Sequence, residues 1–212
     1  MIHTMKLFAA AAACALAGTV QAGINFPPPW ANWAQQGATT HWYWNFSNGP
    51  NNPQGQGVPG TPPPQITFTG GATWVQPNAT QPGVICIPGG GSVVVCIPNY
   101  DSPIHQKFIW VQTDYFGGPE PVISAGFGPA GSDGGPWGPT VTPSPSPTGG
   151  LISGAGWQLP FCPPGEYITI SNPNPGSVTY ITWLNIDTIC ISTPGSAALL
   201  GAGSLLALRR RR

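Results

Sequence analysis

The chain has 212 residues, of which only 6% are charged, and its formal net charge is zero. Four of its six basic residues are the last four positions, Arg209 to Arg212, so residues 23–191 carry one base, Lys107, against six acids. Binding to nucleic acid depends on Lys and Arg that neutralise phosphates, and this composition excludes it. Residues 23–191 nevertheless make up a stretch of roughly 170 residues, enough for one domain with a hydrophobic core.

The first predicted element is a secretory signal peptide over residues 1–22. Lys6 supplies a short basic region, Leu7 to Gly18 is apolar, and Val20-Gln21-Ala22 places small residues before a cleavage site. We therefore expect signal peptidase to cut before Gly23 and the mature chain to be exported. A buried N-terminal helix and a lipidated N-terminus are the alternatives.

The middle of the chain is predicted to be an all-β sandwich over residues 23–191. Its apolar runs are short, rich in Val, Ile, Thr and aromatic residues, and bounded by turn residues, and the whole chain holds 30 Gly and 28 Pro. A jelly roll is one arrangement that fits this pattern. The predicted strands are His41–Phe46, Gln65–Thr69, Thr73–Val75, Gly83–Ile87, Ser92–Ile97, Lys107–Tyr115, Pro121–Ala125, Tyr167–Ser171, Val178–Leu184 and Ile186–Ile191. The intervening residues 48–64 and 126–150 are predicted loops, the second a mobile, exposed insertion.

Nine Trp residues are the strongest chemical signal in the chain. Trp42, Trp44 and Phe46 alternate with polar positions, so one strand presents an aromatic row on one face. The core is the expected place for Trp44 and Trp110. Exposed aromatic rings stack on sugar rings, and Asn and Gln bind sugar hydroxyls. The candidate glycan-binding residues are Trp30, Trp33, Trp42 and Trp137.

Four cysteines lie between residues 23 and 191. An even number in an exported domain favours disulfides, of which three pairings are possible. Cys86 and Cys96 bracket a turn sequence between two β-branched runs, and a hairpin folded symmetrically about Gly91 would place them opposite each other. The predicted pairs are therefore Cys86–Cys96 and Cys162–Cys190. A zinc site is the alternative, but no CxxC pair is present.

The sequence offers little for catalysis, and we predict no catalytic residues. A glycosidase needs two carboxylates that flank the scissile bond, and Glu120 and Glu166 are the only glutamates. Each stands beside Pro or Gly, as residues of solvated loops or strand edges do. His41 and His105 are candidate bases without an evident nucleophile, and Asp101 with His105 is a weak candidate metal pair.

The closing β segments, Glu166 to Ile170 and Val178 to Ile191, resemble the last strands of jelly-roll carbohydrate-binding domains. The resemblance covers about 30 residues at the end of the predicted domain. It implies a jelly-roll sandwich and a calcium site that involves Asp187. The alternative, which we prefer, is that Asp187 is a strand-end residue that hydrogen-bonds a turn. Calcium is the only cofactor that the sequence suggests.

Residues 192–212 are predicted to be a C-terminal sorting signal. Thr193-Pro194-Gly195 precedes 13 uncharged residues, Ser196 to Leu208, and the arginines follow. At ~1.5 Å per residue the uncharged run reaches roughly 20 Å, short of a hydrocarbon core of about 30 Å. Because Arg does not readily cross a bilayer, the arginines would halt export and leave a marginal membrane anchor.

This layout resembles the PEP-CTERM sorting signal of bacterial surface and exopolysaccharide-associated proteins. The resemblance rests on Pro194 and Gly195, the apolar run, and the cluster of Arg209, Arg210, Arg211 and Arg212, although the Glu of the Pro-Glu-Pro signature is absent. It implies an exosortase-like protease as a partner and exopolysaccharide as a neighbour. An anchor that is never cleaved is the alternative.

From these observations we expect a non-catalytic protein, exported to the cell surface or the extracellular matrix. The alternative is a carbohydrate-binding module that uses exposed Trp and is stabilised by calcium. A glycoside hydrolase is the third hypothesis.

Overall fold

A computed structural model of the chain describes residue 28 and residues 39–57, 59–77, 83–99, 105–128, 134–138 and 140–192. All regular structure in these residues is β-strand, arranged in two antiparallel sheets, so the predicted all-β sandwich is confirmed. The strands are β1 (Thr39–Trp44), β2 (Gln54–Gln56), β3 (Gln65–Thr69), β4 (Thr73–Val75), β5 (Val84–Pro88), β6 (Ser92–Pro98), β7 (His105–Phe116), β8 (Val122–Gly126), β9 (Gly135–Pro136), β10 (Val141–Pro145), β11 (Leu151–Leu159), β12 (Gly165–Ser171) and β13 (Val178–Ser192).

The larger sheet has nine strands, with β10-β11-β7-β13-β1-β2 along its main path. Its central strand, β13, pairs with β7 along nearly its whole length. On its other side β13 pairs first with β5, through residues 178–181, and then with β1, through residues 184–189. β4 pairs with β5, and β9 pairs with β11. The smaller sheet has the order β3-β6-β12-β8.

One hydrophobic core fills the space between the two sheets. Along β6 and β12 buried and half-buried residues alternate, which is the pattern of a sheet with one face covered. The smaller sheet contributes Val93, Val95, Ile97, Ile168 and Ile170 to this core, and the larger sheet contributes Ile85, Ile87, Ile109, Val111, Leu184 and Ile186.

The aromatic row of Trp42, Trp44 and Phe46, in and just after β1, faces this core, as was predicted for Trp44. Trp44 and Phe46 are fully buried in it, and Trp42 packs against its margin. Phe46 has a φ of 55°, and its carbonyl accepts a hydrogen bond of 3.0 Å from Trp74 Nε1. A Cβ on Gly83 would lie only 2.1 Å from the same carbonyl oxygen, so the chain needs glycine at this position.

The outer face of the larger sheet carries a second apolar cluster. Phe108, Trp110 and Ile189 are buried there, and Trp137 and Val141 pack against them. Trp110 is therefore buried as predicted, but outside the core between the sheets. Much of the predicted mobile insertion is thus packed structure, because residues 134–138 and 140–150 include β9 and β10, which pair with β11.

Other strand predictions also need correction. β2 lies inside the predicted loop 48–64, and β11 was not predicted because its glycines interrupt the apolar pattern. The two predicted final strands are one strand of 15 residues, β13, with an irregularity between Ile181 and Trp183.

The cysteine prediction is half right. Cys162 and Cys190 form a disulfide, with Cα atoms 6.1 Å apart. Cys86 and Cys96 are free thiols, because β5 joins the larger sheet and β6 the smaller one instead of forming a hairpin. Each thiol alternates with core residues along its strand, so the two point away from each other on opposite outer faces of the sandwich.

Within the described residues, we find no helix of the length and hydrophobicity needed to span a membrane. The predicted signal peptide and the sorting-signal residues Pro194, Gly195 and Arg209–Arg212 lie outside the described residues.

Candidate functional site

Two strands bring His41 and Asp187 together on the outer face of the larger sheet. They are directly opposite each other in the β1–β13 pair, and His41 Nδ1 lies 2.5 Å from Asp187 Oδ1. The other carboxylate oxygen accepts a hydrogen bond of 2.6 Å from Asn185 Nδ2. The hydrogen bond to Asp187 raises the pKa of His41, and burial opposes this only in part.

The edge of this sheet extends the polar surface from His41. Tyr43 Oη donates a hydrogen bond to Gln54 Oε1, and Gln56 is directly opposite His41 in the β1–β2 pair. We call these four residues, His41, Tyr43, Gln54 and Gln56, the edge strip. Gly55 lets β2 approach β1 closely, because its φ is 138° and a Cβ there would meet the His41 carbonyl at 2.0 Å.

The edge strip presents an imidazole, a phenol and two carboxamides at the surface. His41, Tyr43 and Gln54 are half-buried and Gln56 is exposed. An aromatic ring with a polar end offers both an apolar face and a hydrogen bond, and the neighbouring amides can bind hydroxyls. Sequence reasoning missed this strip because β2 lies in a segment rich in Gly and Pro.

Trp42 and Trp137, two of the four Trp residues predicted to bind glycans, lie on opposite faces of the larger sheet. Trp42 packs on the margin of the core between the sheets. Trp137 lies on the opposite side of the larger sheet, where its ring meets Phe108 edge-on at 4.6 Å. Trp30 and Trp33 lie outside the described residues. The structure therefore gives no shared platform for Trp42 and Trp137.

Asp187 is not a strand-end residue, contrary to our preferred alternative. It lies in the interior of β13, and both of its oxygens contact side-chain nitrogens, those of His41 and Asn185. No group of three or more His, Cys, Asp or Glu side chains suited to a metal ion occurs in the described part of the chain. Asp101, half of the weak metal pair, falls outside that part.

Glu166 is not at a solvated edge, contrary to expectation. It is fully buried in the core, where Glu166 Oε1 lies 3.0 Å from Lys107 Nζ, and Lys107 is fully buried as well. Burial lowers the pKa of Lys107 and raises the pKa of Glu166, while the attraction between the two groups opposes both shifts. Glu120 is exposed.

Further polar groups surround the buried ion pair. Asn99 Nδ2 lies 3.5 Å from Glu166 Oε2 and 3.5 Å from Cys190 Sγ. Thr188 hydrogen-bonds Glu166, and its hydroxyl is 2.7 Å from that of Thr40. We call Asn99, Lys107, Glu166 and Thr188 the polar core cluster.

The sequence contained one signal for this cluster. Lys107 is the only base between residues 23 and 191, and it begins the apolar run Phe108-Ile109-Trp110-Val111. A lysine in such a run must be paired or neutral if the strand is central.

No protein-family model, curated protein or solved structure matches the chain.

Proposed function

We propose that this chain is a non-catalytic protein of the cell surface or extracellular matrix. In this proposal signal peptidase removes residues 1–22, and a PEP-CTERM-like signal (Pro194, Gly195 and Arg209–Arg212) directs the exported domain to an exosortase-like protease. The domain then stays at the membrane or is released beside exopolysaccharide.

The observation that carries this proposal is the buried disulfide between Cys162 and Cys190. Structural disulfides form and persist in oxidising compartments and are rare in the cytosol of mesophiles. A buried covalent link at one end of the core therefore supports a chain that folds after export.

The placement of the acidic groups supports a role without catalysis. Glu166 is buried against Lys107. Asp114 is also buried, and its Oδ2 accepts hydrogen bonds from the hydroxyls of Ser146 and Thr148. Asp187 is held by His41 and Asn185. These three carboxyl groups already have partners within the fold, so none is presented to a glycosidic bond.

Expression of the full chain in a bacterium with an exosortase, and in the same strain without it, tests this proposal. We expect an intact mass that shows loss of residues 1–22 in both strains and loss of the C-terminal arginines only in the first. A chain with Arg209–Arg212 replaced by serine is the control, and it should not be retained at the membrane. A full-length, reduced chain recovered from the cytoplasm would overturn the proposal.

Glycan binding is the second candidate function, and the edge strip favours it. Tyr43, His41 and the two glutamines lie side by side on adjacent strands at the surface. A glycan array tests this: Tyr43→Ala should abolish saturable binding, whereas Tyr180→Ala, at the other end of the larger sheet, should not.

Two further measurements test the glycan-binding hypothesis as the sequence suggested it, with exposed Trp residues and calcium. Loss of binding in Trp30→Ala or Trp33→Ala would assign it to those residues instead. A melting temperature that rises with calcium and falls with a chelator would support stabilisation by calcium. An array on which the wild-type chain binds nothing would remove this second candidate.

A further inference from the structure

An amine and a carboxamide meet at one carboxyl group inside the sandwich. Lys107 is the third residue of β7 in the larger sheet. Glu166 lies on β12 in the smaller sheet, and Asn99 directly follows β6. Glu166 Oε1 faces Lys107 Nζ at 3.0 Å, and Glu166 Oε2 faces Asn99 Nδ2 at 3.5 Å. Lys107 and Glu166 are fully buried and Asn99 is 8% exposed.

We propose that Lys107 and Asn99 become joined by an intramolecular isopeptide bond, with Glu166 as the group that carries the proton. The three residue types match the roles that the reaction needs: an amine nucleophile, a carboxamide with a leaving nitrogen, and an acid–base group between them. This inference goes beyond the proposed function and holds wherever the chain folds.

The apolar surroundings shift the pair towards the neutral protonation state that the reaction needs. Burial lowers the pKa of Lys107 and raises the pKa of Glu166, and a low dielectric favours neutral groups over an ion pair. Transfer of one proton from Nζ to the carboxylate gives a neutral amine beside a carboxylic acid. The amine lone pair is then free to attack.

The covalent step needs no reagent from outside. Lys107 Nζ forms a bond to Asn99 Cγ, and the bond between Cγ and Nδ2 breaks. Glu166, now the carboxylic acid, gives a proton to Nδ2 through Oε2 and takes a second proton from Nζ through Oε1, so that it ends this step again as the carboxylic acid. The amide nitrogen, with its two hydrogens and the added proton, leaves as one molecule of ammonia.

Asn99 is the acyl partner that the geometry favours over Glu166. Its Nδ2 is the leaving nitrogen and already lies against the carboxyl group, whereas an amide formed with Glu166 would have to expel water without an acid–base group. Asn99 Oδ1 is a buried atom without a hydrogen-bond partner among the described residues.

The new bond would link the two sheets. β6 belongs to the smaller sheet and β7 to the larger one, and Asn99 and Lys107 stand at the facing ends of these strands. The Cys162–Cys190 disulfide lies beside the same cluster, since Cys190 Sγ contacts Asn99. One end of the sandwich would then be closed by two covalent links.

Trypsin provides the sharpest test, because Lys107 is the only Lys or Arg between residues 7 and 208. An acylated lysine is not a trypsin site. We expect the denatured, reduced and alkylated wild-type chain to stay uncut between Lys107 and Phe108. Its intact mass should be lower by one ammonia than the sequence requires. Fragmentation of the uncut peptide should place the link between Asn99 and Lys107.

Variants identify the role of each group. Glu166→Gln and Asn99→Ala should both restore cleavage at Lys107 and the full mass, whereas the control Asn45→Ala should keep the bond. The wild-type measurement does not depend on whether any variant folds. Complete cleavage at Lys107 with no mass deficit would overturn the proposal, and so would loss of one water with a link to Glu166.

Discussion

Lys107 and Cys190 lie directly opposite each other on β7 and β13. The buried ion pair and the disulfide therefore occupy the same end of the core, and Asn99 contacts both. Cys162 lies between β11 of the larger sheet and β12 of the smaller one. The disulfide thus links the segment that connects β11 with β12, and so passes from one sheet to the other, to the central strand β13.

Removal of the disulfide should destabilise the domain strongly. The link closes a loop of 28 residues, for which chain entropy gives about 3.5 kcal/mol. We expect the Cys162→Ala/Cys190→Ala variant to lose about that much unfolding free energy in urea. The matched control, Cys86→Ala/Cys96→Ala, should change it by less than about 1 kcal/mol because both thiols are half-buried on outer faces. Equal losses of unfolding free energy in the two variants would contradict the assignment of the disulfide to Cys162 and Cys190.

Lys107→Met should cost about 3–5 kcal/mol of unfolding free energy, because it leaves Glu166 buried without its cation. The double variant Lys107→Met/Glu166→Leu should recover most of that loss. Urea denaturation at neutral pH measures both values. The comparison is made in an Asn99→Ala background, in which the proposed isopeptide bond cannot form. A double variant as unstable as the single one would contradict this account of the pair.

The His41–Asp187 contact should make stability depend on pH. The pKa of His41 in the folded chain is raised above its ordinary value of 6.5. Protonation therefore stabilises the fold fully below pH 6.5, and this stabilisation is lost as pH rises through the folded pKa. Since the His41 side chain is 43% exposed, we expect less than about 1 kcal/mol.

Urea midpoints from pH 5 to pH 9 measure this effect. The difference between wild type and His41→Gln should shrink as the pH rises. A difference that stays constant over the range, or that grows at high pH, would show that the contact does not titrate as described.

Cys86 and Cys96 should be the alkylation sites of the native, non-reduced domain. Burial raises the pKa of both thiols, so their reaction with iodoacetamide should be slow at neutral pH and faster at pH 9. Chymotryptic peptide mapping should find label at these two positions, and Cys86→Ser should lose one of them. Label on Cys162 or Cys190 would show that the disulfide is absent.

The sequence revealed the sandwich but not how its strands combine. Strands with regular alternation, such as Gln65–Thr69 and Thr73–Val75, were predicted with their observed bounds. β10 and β11 were missed because Pro143, Pro145 and two glycines hide their pattern, although an edge strand such as β10 tolerates Pro. The prediction that Cys86 pairs with Cys96 was wrong, because a chain that turns sharply between two strands can also pass from one sheet to the other.

The candidate sites were harder to predict, since each joins residues that are distant in sequence. His41 and Asp187 are 146 residues apart, and a strand register brings them together. Glu166 was misjudged because its neighbours Pro164 and Gly165 indicate a solvated turn, whereas a cation on another sheet allows its burial. Lys107, the solitary base, was the one local indication of that partner.

The position of β13 has a consequence for the order in which the fold can assemble. β1, β5 and β7 all border this one strand, and it is the last of the thirteen strands in the described residues. A chain that is synthesised or translocated from its amino terminus keeps these earlier strands without their common neighbour until residues 178–192 have appeared. The larger sheet can therefore close only after β13 has emerged, with β1, β5 and β7 waiting for it.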